Sequence, residues 1–455
     1  MSVTTEAALQ NTDQETPEHL PRNYWLGVTS GIAYNVYMVV LNTQLVVVWF
    51  LSELTTSNLL ISLASPIGHG SWFFLQFLLS GYVQRQPRNM PLYQQVAVLR
   101  IVISGLLALA AFTLDSPQAL LIVFLLVFTI NSVAAGVAAL PFLNIVAKTI
   151  PARRRGMYFA WRRFGGGLLG LLAGVLVKVV LAPDSGLSFP ANYGVLFTVA
   201  FLLLALQVGS FSFVIEPAEA VDPRRVSLLE QLKRARRLPV RDRNYARFLV
   251  VRVAFVVSTY ALPFYAVYAR RELNTPEDTV GTYVLALTLA TIFANLVLGS
   301  VGDRRGNRLL VRLAAFTSML PALAALVIAL LPGSEANTVF LFSVVFLFQG
   351  LHTAAAILGA GNYLLELCPS AERVLYIGLT YGIVGIAWFT LPLGSAIVDY
   401  LGFEPLFAVS LVAGLVAAIF SLRLEEPRKR GTPAGAGVIV DTASAQSGEN
   451  WGYPA

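Results

Sequence analysis

Long apolar stretches, joined by short polar links, follow one another along almost the whole chain. A helix of about 20 apolar residues crosses the hydrocarbon of a bilayer and satisfies its own backbone hydrogen bonds there. We identify twelve such spans, six in each half of the chain, so the pattern predicts an all-α membrane protein with twelve transmembrane helices. Their approximate bounds are 24–50, 58–83, 92–114, 117–147, 157–182, 191–214, 244–268, 279–301, 308–331, 337–366, 374–400 and 403–422.

Composition agrees with this prediction, and the charges orient it. The chain is 56% hydrophobic and only 13% charged, whereas soluble domains are roughly 25% charged. Most of the 32 Lys and Arg fall in alternate links and in the tails, while the other links carry acids such as Glu53 and Glu277. Because short basic loops stay in the cytoplasm, we expect a multi-pass protein of the cell membrane with both termini cytoplasmic. The net charge of +7 is then a topology signal and does not indicate nucleic-acid binding.

The spans and polar segments divide the chain into five parts. They are a disordered tail over 1–21, a six-helix bundle over 22–214, a linker over 215–243, a second six-helix bundle over 244–422 and a disordered tail over 423–455. In the linker, Ser227 and Glu230 have capping-box spacing within an apolar and basic segment, which predicts a short helix on the cytoplasmic surface. Cys368 is the single cysteine, so no intrachain disulfide forms.

The two halves match each other when the sequence is shifted by 218 positions. Pro151 then falls on Pro369. After a shift of one further residue, "ELTT" at 53–56 falls on "ELNT" at 272–275. Two like-oriented bundles suit alternating access, in which one half rocks against the other and exposes a central site to each side in turn.

One link carries a recognisable motif. "GSVGDRRGNR", between the eighth and ninth spans, resembles the signature of the major facilitator superfamily, roughly G-x-x-x-D-R-x-G-x-R. The matching residues are Gly299, Asp303, Arg304, Gly306 and Arg308. The resemblance in architecture covers about residues 22–423 and implies the fold of that superfamily, two pseudo-symmetric bundles of six helices. The copy in the first half is degenerate, and the fourth span lacks the arginine of many proton-coupled antiporters, so no subfamily is identified.

The resemblance also implies a gate. Asp303 is expected beside the start of the fifth span, where Arg153, Arg154 and Arg155 follow one another. A carboxylate there would meet arginines and the positive end of a helix, but only while the cytoplasmic side is shut. The alternative is that the charges merely hold the link in the cytoplasm.

Glycines of the fifth span also resemble a family pattern. Gly166, Gly170 and Gly174 fit it, although Leu171 stands where the family has proline. Their spacing lets helices approach closely, so we expect a packing role rather than contact with substrate.

Polar and aromatic residues that share a helical face deep in a span are candidates for the lining of a central cavity, because buried amides and imidazoles are costly in lipid. They are Asn35, Asn42, His69, Trp72, Gln76, Asn131, Arg252, Asn295, Gln349, His352, Tyr381 and Trp388. Each alone could instead form a hydrogen bond between helices. His69 and His352 are the candidates for proton coupling.

Two arginines are predicted to be the only cations well inside spans, Arg100 and Arg252. Snorkelling towards the cytoplasm is the first explanation for both. An anionic substrate or a salt bridge between the halves is the alternative.

A transporter of a small organic solute, secondary active or facilitative, is the leading interpretation. Efflux of amphipathic compounds fits the aromatic spans, whereas uptake of a neutral polar solute such as a sugar fits the buried amides. A membrane-embedded sensor or lipid-modifying enzyme is the alternative from another class, but three scattered histidines offer no catalytic constellation. We therefore expect no catalytic residue, metal or cofactor. The expected partners are the solute and the bilayer, coupling to a proton or another ion is left open, and the chain is expected to be a monomer.

Overall fold

The computed structural model describes residues 19–70, 83, 86–218, 237–330, 340–369 and 372–427. Within these ranges the chain is helical, with short links and no strand. The predicted linker helix, Trp72 and Gln76 lie outside the described residues, as do most of the two predicted tails.

The described α-helices are numbered here in chain order. In the first half they are α1 Leu20–Val40, α2 Val46–Leu54, α3 Asn58–Ser62, α4 Met90–Thr113, α5 Pro117–Thr149, α6 Ala152–Val180 and α7 Ala191–Ser212. In the second half they are α8 Leu238–Arg241, α9 Arg243–Ser258, α10 Leu262–Arg271, α11 Thr279–Arg305, α12 Asn307–Thr317, α13 Leu320–Leu330, α14 Ser343–Leu367, α15 Arg373–Trp388, α16 Leu393–Leu401 and α17 Phe403–Leu422.

Ten helical stretches of the described chain are long and apolar enough to cross a membrane. They are Met90–Thr113, Pro117–Thr149, Arg154–Val180, Ala191–Ser212, Arg243–Arg271, Thr279–Gly302, Asn307–Leu330, Ser343–Leu367, Leu375–Leu401 and Phe403–Leu422. They follow the third to twelfth predicted spans in order, so the prediction of an all-helical membrane fold is confirmed. The count of twelve stays a prediction, because the first span is interrupted and the second is only partly described.

The interruption of the first span has a local cause. The side-chain oxygen of Asn42 accepts hydrogen bonds from the backbone N–H groups of Gln44 and Leu45, each at 3.0 Å. The backbone carbonyl of Asn42 accepts from the N–H of Val47 at 3.0 Å. Asparagine side chains compete in this way with the helical backbone, so α1 ends and α2 begins around this residue.

Each half ties its last helix back to its first through an asparagine. Asn23 in α1 exchanges two hydrogen bonds of 3.0 Å with the backbone of Ile215, just after α7. In the second half, Asn244 in α9 accepts from the N–H of Glu425, just after α17, also at 3.0 Å. In each half, an asparagine near the start of the first helix thus bonds to the backbone just after the last helix, as expected for a chain built from two similar halves.

The apolar core is continuous between the halves at one end only. Its larger cluster contains Trp49 and Phe50 from the first half together with Tyr265 and Tyr283 from the second. A separate cluster around Tyr363 belongs to the second half alone and lies towards the start of α9 and the end of α17. The halves are therefore packed together at the end of the bundle where α2 finishes.

Candidate substrate path and gate

A pair of equivalent residues joins the two halves at one end of the bundle. Arg270, in the last turn of α10, donates from Nη1 to the Ser52 hydroxyl of α2 at 2.8 Å. It also forms an ion pair with Glu53. Ser52 and Arg270 are 218 residues apart, which is the shift that aligns the two halves. Residues at the same position of each half meet here, so the pseudo-twofold axis passes between them.

Further polar contacts join the halves beside this pair. Arg271 donates to the side-chain oxygen of Asn58 at 2.9 Å and to the carbonyl of Thr56 at 3.2 Å. The Asn58 amide in turn donates to Asp399 of α16 at 2.7 Å. We call the end of the bundle that holds Ser52, Asn58, Arg270, Arg271 and Asp399 the closed end.

A weaker contact extends the closed end to α7. Asn192, in the first turn of that helix, lies 3.4 Å from both carboxylate oxygens of Glu277, which precedes α11. Burial raises the pKa of Glu277 above its ordinary value, and the nearby Glu53 carboxylate adds to the rise. Within the described part of the chain, all hydrogen bonds and ion pairs between the two halves lie at the closed end.

Helices α6 and α11 touch at the closed end and separate from each other away from it. A side chain at Gly281 would overlap the backbone of Lys178. Nearer the middle, Gly174 faces Leu285, whose side chain would lie 2.8 Å from an added Cβ. At the other ends of these helices, Gly156 and Gly299 have nothing within 4 Å of such a Cβ. An added Cβ at Gly167 would still lie 3.2 Å from Ile292 of α11, so the two helices stay close past their middle. Beyond that point we infer a cleft between the halves that opens at the far end, where α1 begins and α17 ends.

An aromatic pair crosses this cleft below the closed end. His69 and Trp388, from opposite halves, are stacked with ring centroids 4.7 Å apart and planes inclined by 13°. Both side chains keep partial exposure. His69 follows Asn58 by eleven residues and Trp388 precedes Asp399 by eleven residues. The two stacked rings, one from each half, therefore lie at a similar depth below the closed end.

Arg100 is held inside the first half rather than at its surface. Its side chain is 5% exposed, and its Nε donates to Asn131 at 2.8 Å. The Asn131 amide lies 3.2 Å from the Tyr37 hydroxyl and 3.3 Å from the Ser104 hydroxyl. The expectation that Arg100 snorkels is wrong, because its guanidinium donates a hydrogen bond to the side-chain oxygen of Asn131 on the neighbouring helix.

A third cation lies inside a span, so the prediction that Arg100 and Arg252 are the only ones is wrong as well. Arg162 in α6 is 8% exposed. It donates to the carbonyl of Gly27 and, at 3.0 Å, to the Tyr158 hydroxyl. Its guanidinium also lies 4.8 Å from the centre of the Phe142 ring. The sequence analysis did not count this arginine among the cations well inside spans, although Tyr158 and Arg162 have the i, i+4 spacing of a helical side-chain pair.

Arg252 is the buried cation of the second half. It lies deep in α9 but is partly exposed, and Tyr381 of α15 and His352 of α14 are its electrostatic neighbours. Arg252 follows Tyr34 by 218 residues, so these two residues occupy equivalent positions. Tyr34 is 40% exposed although it too lies deep in the protein, as expected for a side chain that lines a cavity.

The other described cavity candidates bond within their own half. Asn35 donates to Gly31 at 2.7 Å, Asn295 donates to Thr291 at 2.8 Å, and the Gln349 amide lies 3.4 Å from the Thr353 hydroxyl. His352 is buried with its Nδ1 3.0 Å from the carbonyl of Ala314. These amides are therefore engaged within their own half. The residues placed at the cleft are His69, Trp388, Arg252 and Tyr34.

The motif residues are distributed around the far end. Gly306 has φ of 87°, which only glycine adopts readily, and this allows the sharp turn from α11 to α12. Arg308 pairs with Glu426 at 3.2 Å, and Arg304 is exposed. Arg155 bonds to carbonyls at the end of α5. The side chains of Asp303 and Arg153 lie outside those described and Arg154 is exposed, so the predicted contact between Asp303 and the arginines stays a prediction.

The three glycines of α6 face two different helices. An added Cβ at Gly166 would overlap Asn35 of α1, and at Gly170 it would lie 3.1 Å from Val39 of the same helix. Gly174 faces Leu285 of α11. The lack of side chains thus allows α6 to lie against both the first helix and the opposite half.

A large apolar groove elsewhere is not part of this path. It has a volume of about 700 Å³ and lies between α9 and α17 of the same half. Its lining is Leu249, Val250, Val253, Ala254, Val257, Ala408, Val409, Val412, Ala413 and Val416. A groove without polar groups on the outside of a membrane bundle suits lipid chains rather than a transported solute.

Known proteins share this architecture. The family model described as Major Facilitator Superfamily matches residues 247–451, and no curated protein matches the chain significantly. Among solved structures, a D-xylose–proton symporter superposes with a TM-score of 0.68 at 15% identity, over 90% of this chain and 99% of that one. The xylose transporter XylE from E. coli, in a partially occluded inward-open conformation, gives 0.65 at 13% identity, over 91% and 100%. The nucleoside transporter NupG gives 0.63 at 14% identity, over 89% and 98%.

Fold and comparisons together define the class: a multi-pass helical membrane protein with the architecture of a solute transporter. The family match over residues 247–451 agrees with the superfamily that the link motif in the same half indicated. The fold of the solved transporters is shared along 90% of the chain. The subfamily is not identified.

Proposed function

We propose that this chain moves a small organic solute across the membrane by alternating access and that the structure is its outward-closed state. The observation that carries the proposal is the one-sided distribution of contacts between the halves. Polar contacts and a shared apolar core join the halves at the closed end, whereas no hydrogen bond or ion pair between described residues of the two halves lies towards the far end. The basic links at the far end support a cytoplasmic location for that side.

Such contacts can act as a switch because they exist in one state only. A conformational equilibrium shifts only through interactions that differ between its two states. Arg270 and Asn58 stabilise the state in which the cleft opens to the cytoplasm. The opposite state would break their contacts and form the predicted contact between Asp303 and the arginines 153–155.

Efflux is the direction that we propose. A cleft open to the cytoplasm and flanked by Tyr34, His69 and Trp388 offers aromatic surface to amphipathic compounds from that side. The same state would release the solute of an uptake carrier, such as a neutral sugar, so direction is an outcome of the flux measurement.

The proposal is tested by locking the closed end. Cys368→Ser removes the only cysteine and keeps a donor for the Leu364 carbonyl. In that background, Ser52→Cys with Arg270→Cys is joined by a short, cleavable bifunctional thiol reagent in proteoliposomes. Flux across a panel of solutes should stop on cross-linking and return on cleavage.

A matched pair within one half serves as the control. Asn23→Cys with Ile215→Cys, whose backbone and side-chain groups bond in the first half, should cross-link without loss of flux. Unchanged flux through the locked Ser52–Arg270 pair contradicts alternating access. Chemical turnover of a solute without its movement across the bilayer would favour the enzyme alternative.

A further inference from the structure

We propose that the transported solute is a small organic anion, bound in the cleft between Arg252 of the second half and the Arg100–Arg162 pair of the first. This inference rests on the proposed function and names its substrate class. It chooses between the sequence-based alternatives for the buried arginines, where an anionic substrate stood beside snorkelling and a salt bridge, and it assigns the site.

The first support is that the two first-half arginines keep unused binding capacity. A guanidinium has five N–H donors. Arg100 uses one donor within the described chain, and Arg162 uses Nη1 alone. Neither has a carboxylate partner among the described residues, and the two side chains are only 5% and 8% exposed. Unpaired charges inside a membrane protein are costly and therefore mark ion or substrate paths.

A purely structural role explains only one of these cations. Rings of Phe142, Tyr158 and Phe159 surround the Arg162 guanidinium at 4.8, 5.2 and 5.9 Å, and such contacts offset part of the cost of burying its charge. Arg100 and Arg252 have no comparable ring contact in the described chain.

The second support is the placement of these cations by pseudo-symmetry. Tyr34 lies within electrostatic reach of both Arg100 and Arg162. Its equivalent in the second half, 218 residues later, is Arg252. Equivalent positions on α1 and α9 lie at the same depth on opposite sides of the cleft, so cations approach the same level from both halves.

The third support is access from the cleft. Tyr34 is 40% exposed and Arg252 is partly exposed, although both lie deep in the bundle. A carboxylate or phosphate that entered from the far end could therefore reach Arg252 first. An anion held by both halves would also draw the halves together, because arginine binds a carboxylate or a phosphate in a bidentate geometry.

The test compares solutes that differ mainly in charge. Wild-type protein in proteoliposomes is offered benzoate with benzamide, and glucose 6-phosphate with glucose. We expect at least one anion to be transported at ten times the rate of its neutral partner or more. The benzoate and phosphate arms distinguish a carboxylate from a phosphate ester as the preferred group.

Variants then assign the effect to the site. Arg252→Gln should lower transport of the preferred anion at least tenfold, and Arg252→Lys should lower it less. Arg243→Gln, an exposed arginine at the start of the same helix, should stay within twofold of wild type. If Arg252→Gln does not fold, a KM for the anion in Arg252→Lys equal to that of wild type overturns the assignment.

The outcomes separate this inference from the proposed function. Equal transport within both pairs, of benzoate and benzamide and of glucose and its phosphate, overturns the anion assignment and leaves the transporter intact. Transport of benzamide or glucose without transport of benzoate or glucose 6-phosphate also overturns the anion assignment and leaves the transporter intact. Absence of vectorial movement for every solute overturns both proposals.

Discussion

Asn131 shows at the scale of one residue why a buried amide is placed in a membrane helix. It accepts from Arg100 and lies within hydrogen-bond distance of Tyr37 and Ser104. Three helices of the first half are thus joined through a single side chain. A small cavity of about 20 Å³ with a mostly apolar lining lies against it, enough for about one water molecule.

Replacing this amide tests its role. Asn131→Leu should lower the stability of the folded protein by about 1–3 kcal/mol, because the charged donor of Arg100 is left buried without its acceptor. Thermal unfolding followed by circular dichroism in detergent measures the effect. Asn295→Leu is the matched control, since that amide bonds only to the carbonyl of its own helix. Equal loss of stability in the two variants would argue against a special role for Asn131.

Sequence reasoning identified this residue but not its partners. A polar side chain deep in an apolar span must find a partner, so Asn131 was predictable as important. Hydropathy does not reveal which helices are neighbours, and Arg100 was therefore explained by snorkelling. Arg162 was missed because it lies only ten residues into α6, close to a run of three arginines that belongs to the link.

At the scale of helices, hydropathy located the spans but not their interruptions. Apolar residues resume at Leu45, only three positions after Asn42, so the hydropathy pattern continues across a break that hydrogen bonds to a single side chain produce. The glycines of α6 were predictable from spacing as sites of close approach. Their two different partners, α1 and α11, depend on the three-dimensional arrangement.

The contact between α6 and α11 offers a prediction at this scale. Gly281→Ala places a methyl group against the backbone of Lys178, which cannot move aside as a side chain can. The variant should loosen the closed end, since overpacking costs about 1–3 kcal/mol. Spin labels at Leu59→Cys and Leu401→Cys, both exposed beside the gate, should report a longer distance.

The same helix contains its own control. Gly299→Ala adds a methyl group where nothing lies within 4 Å, and both substitutions change helix propensity in the same direction. The distance between the labels should therefore stay at its wild-type value in Gly299→Ala. An unchanged distance in Gly281→Ala would mean that this contact does not hold the halves together.

At the scale of the whole molecule, the repeat predicted more than the motif did. The shift of 218 residues identified equivalent positions, and one such pair, Ser52 and Arg270, meets at the gate. The state that the protein occupies was not predictable, because it depends on small free-energy differences between contacts at the two ends. The motif concerns the far end, so its predicted contact is not expected in a structure closed at the other end.

The balance between the two states should depend on pH at the closed end. Glu277 is buried there and its pKa is raised above the ordinary value of 4.5, whereas opening returns the carboxyl to water. The closed state therefore binds the proton more tightly than the open one. Its extra stability is fully present below pH 4.5 and is lost as the pH rises through the raised pKa. Each unit of difference changes the equilibrium up to about tenfold.

Glu277→Gln should weaken this response, and the remainder is expected from Glu53, whose pKa is also raised by burial at the closed end. The amide cannot ionise, so the fraction of closed molecules should stay high as the pH of the medium at the closed end rises. The labels at Leu59→Cys and Leu401→Cys measure that fraction between pH 4 and 8. Glu272→Gln, an exposed neighbour in the same link, should titrate like wild type. A wild-type closed fraction that grows with rising pH would contradict the role of Glu277, since deprotonation would then stabilise the gate instead of opening it.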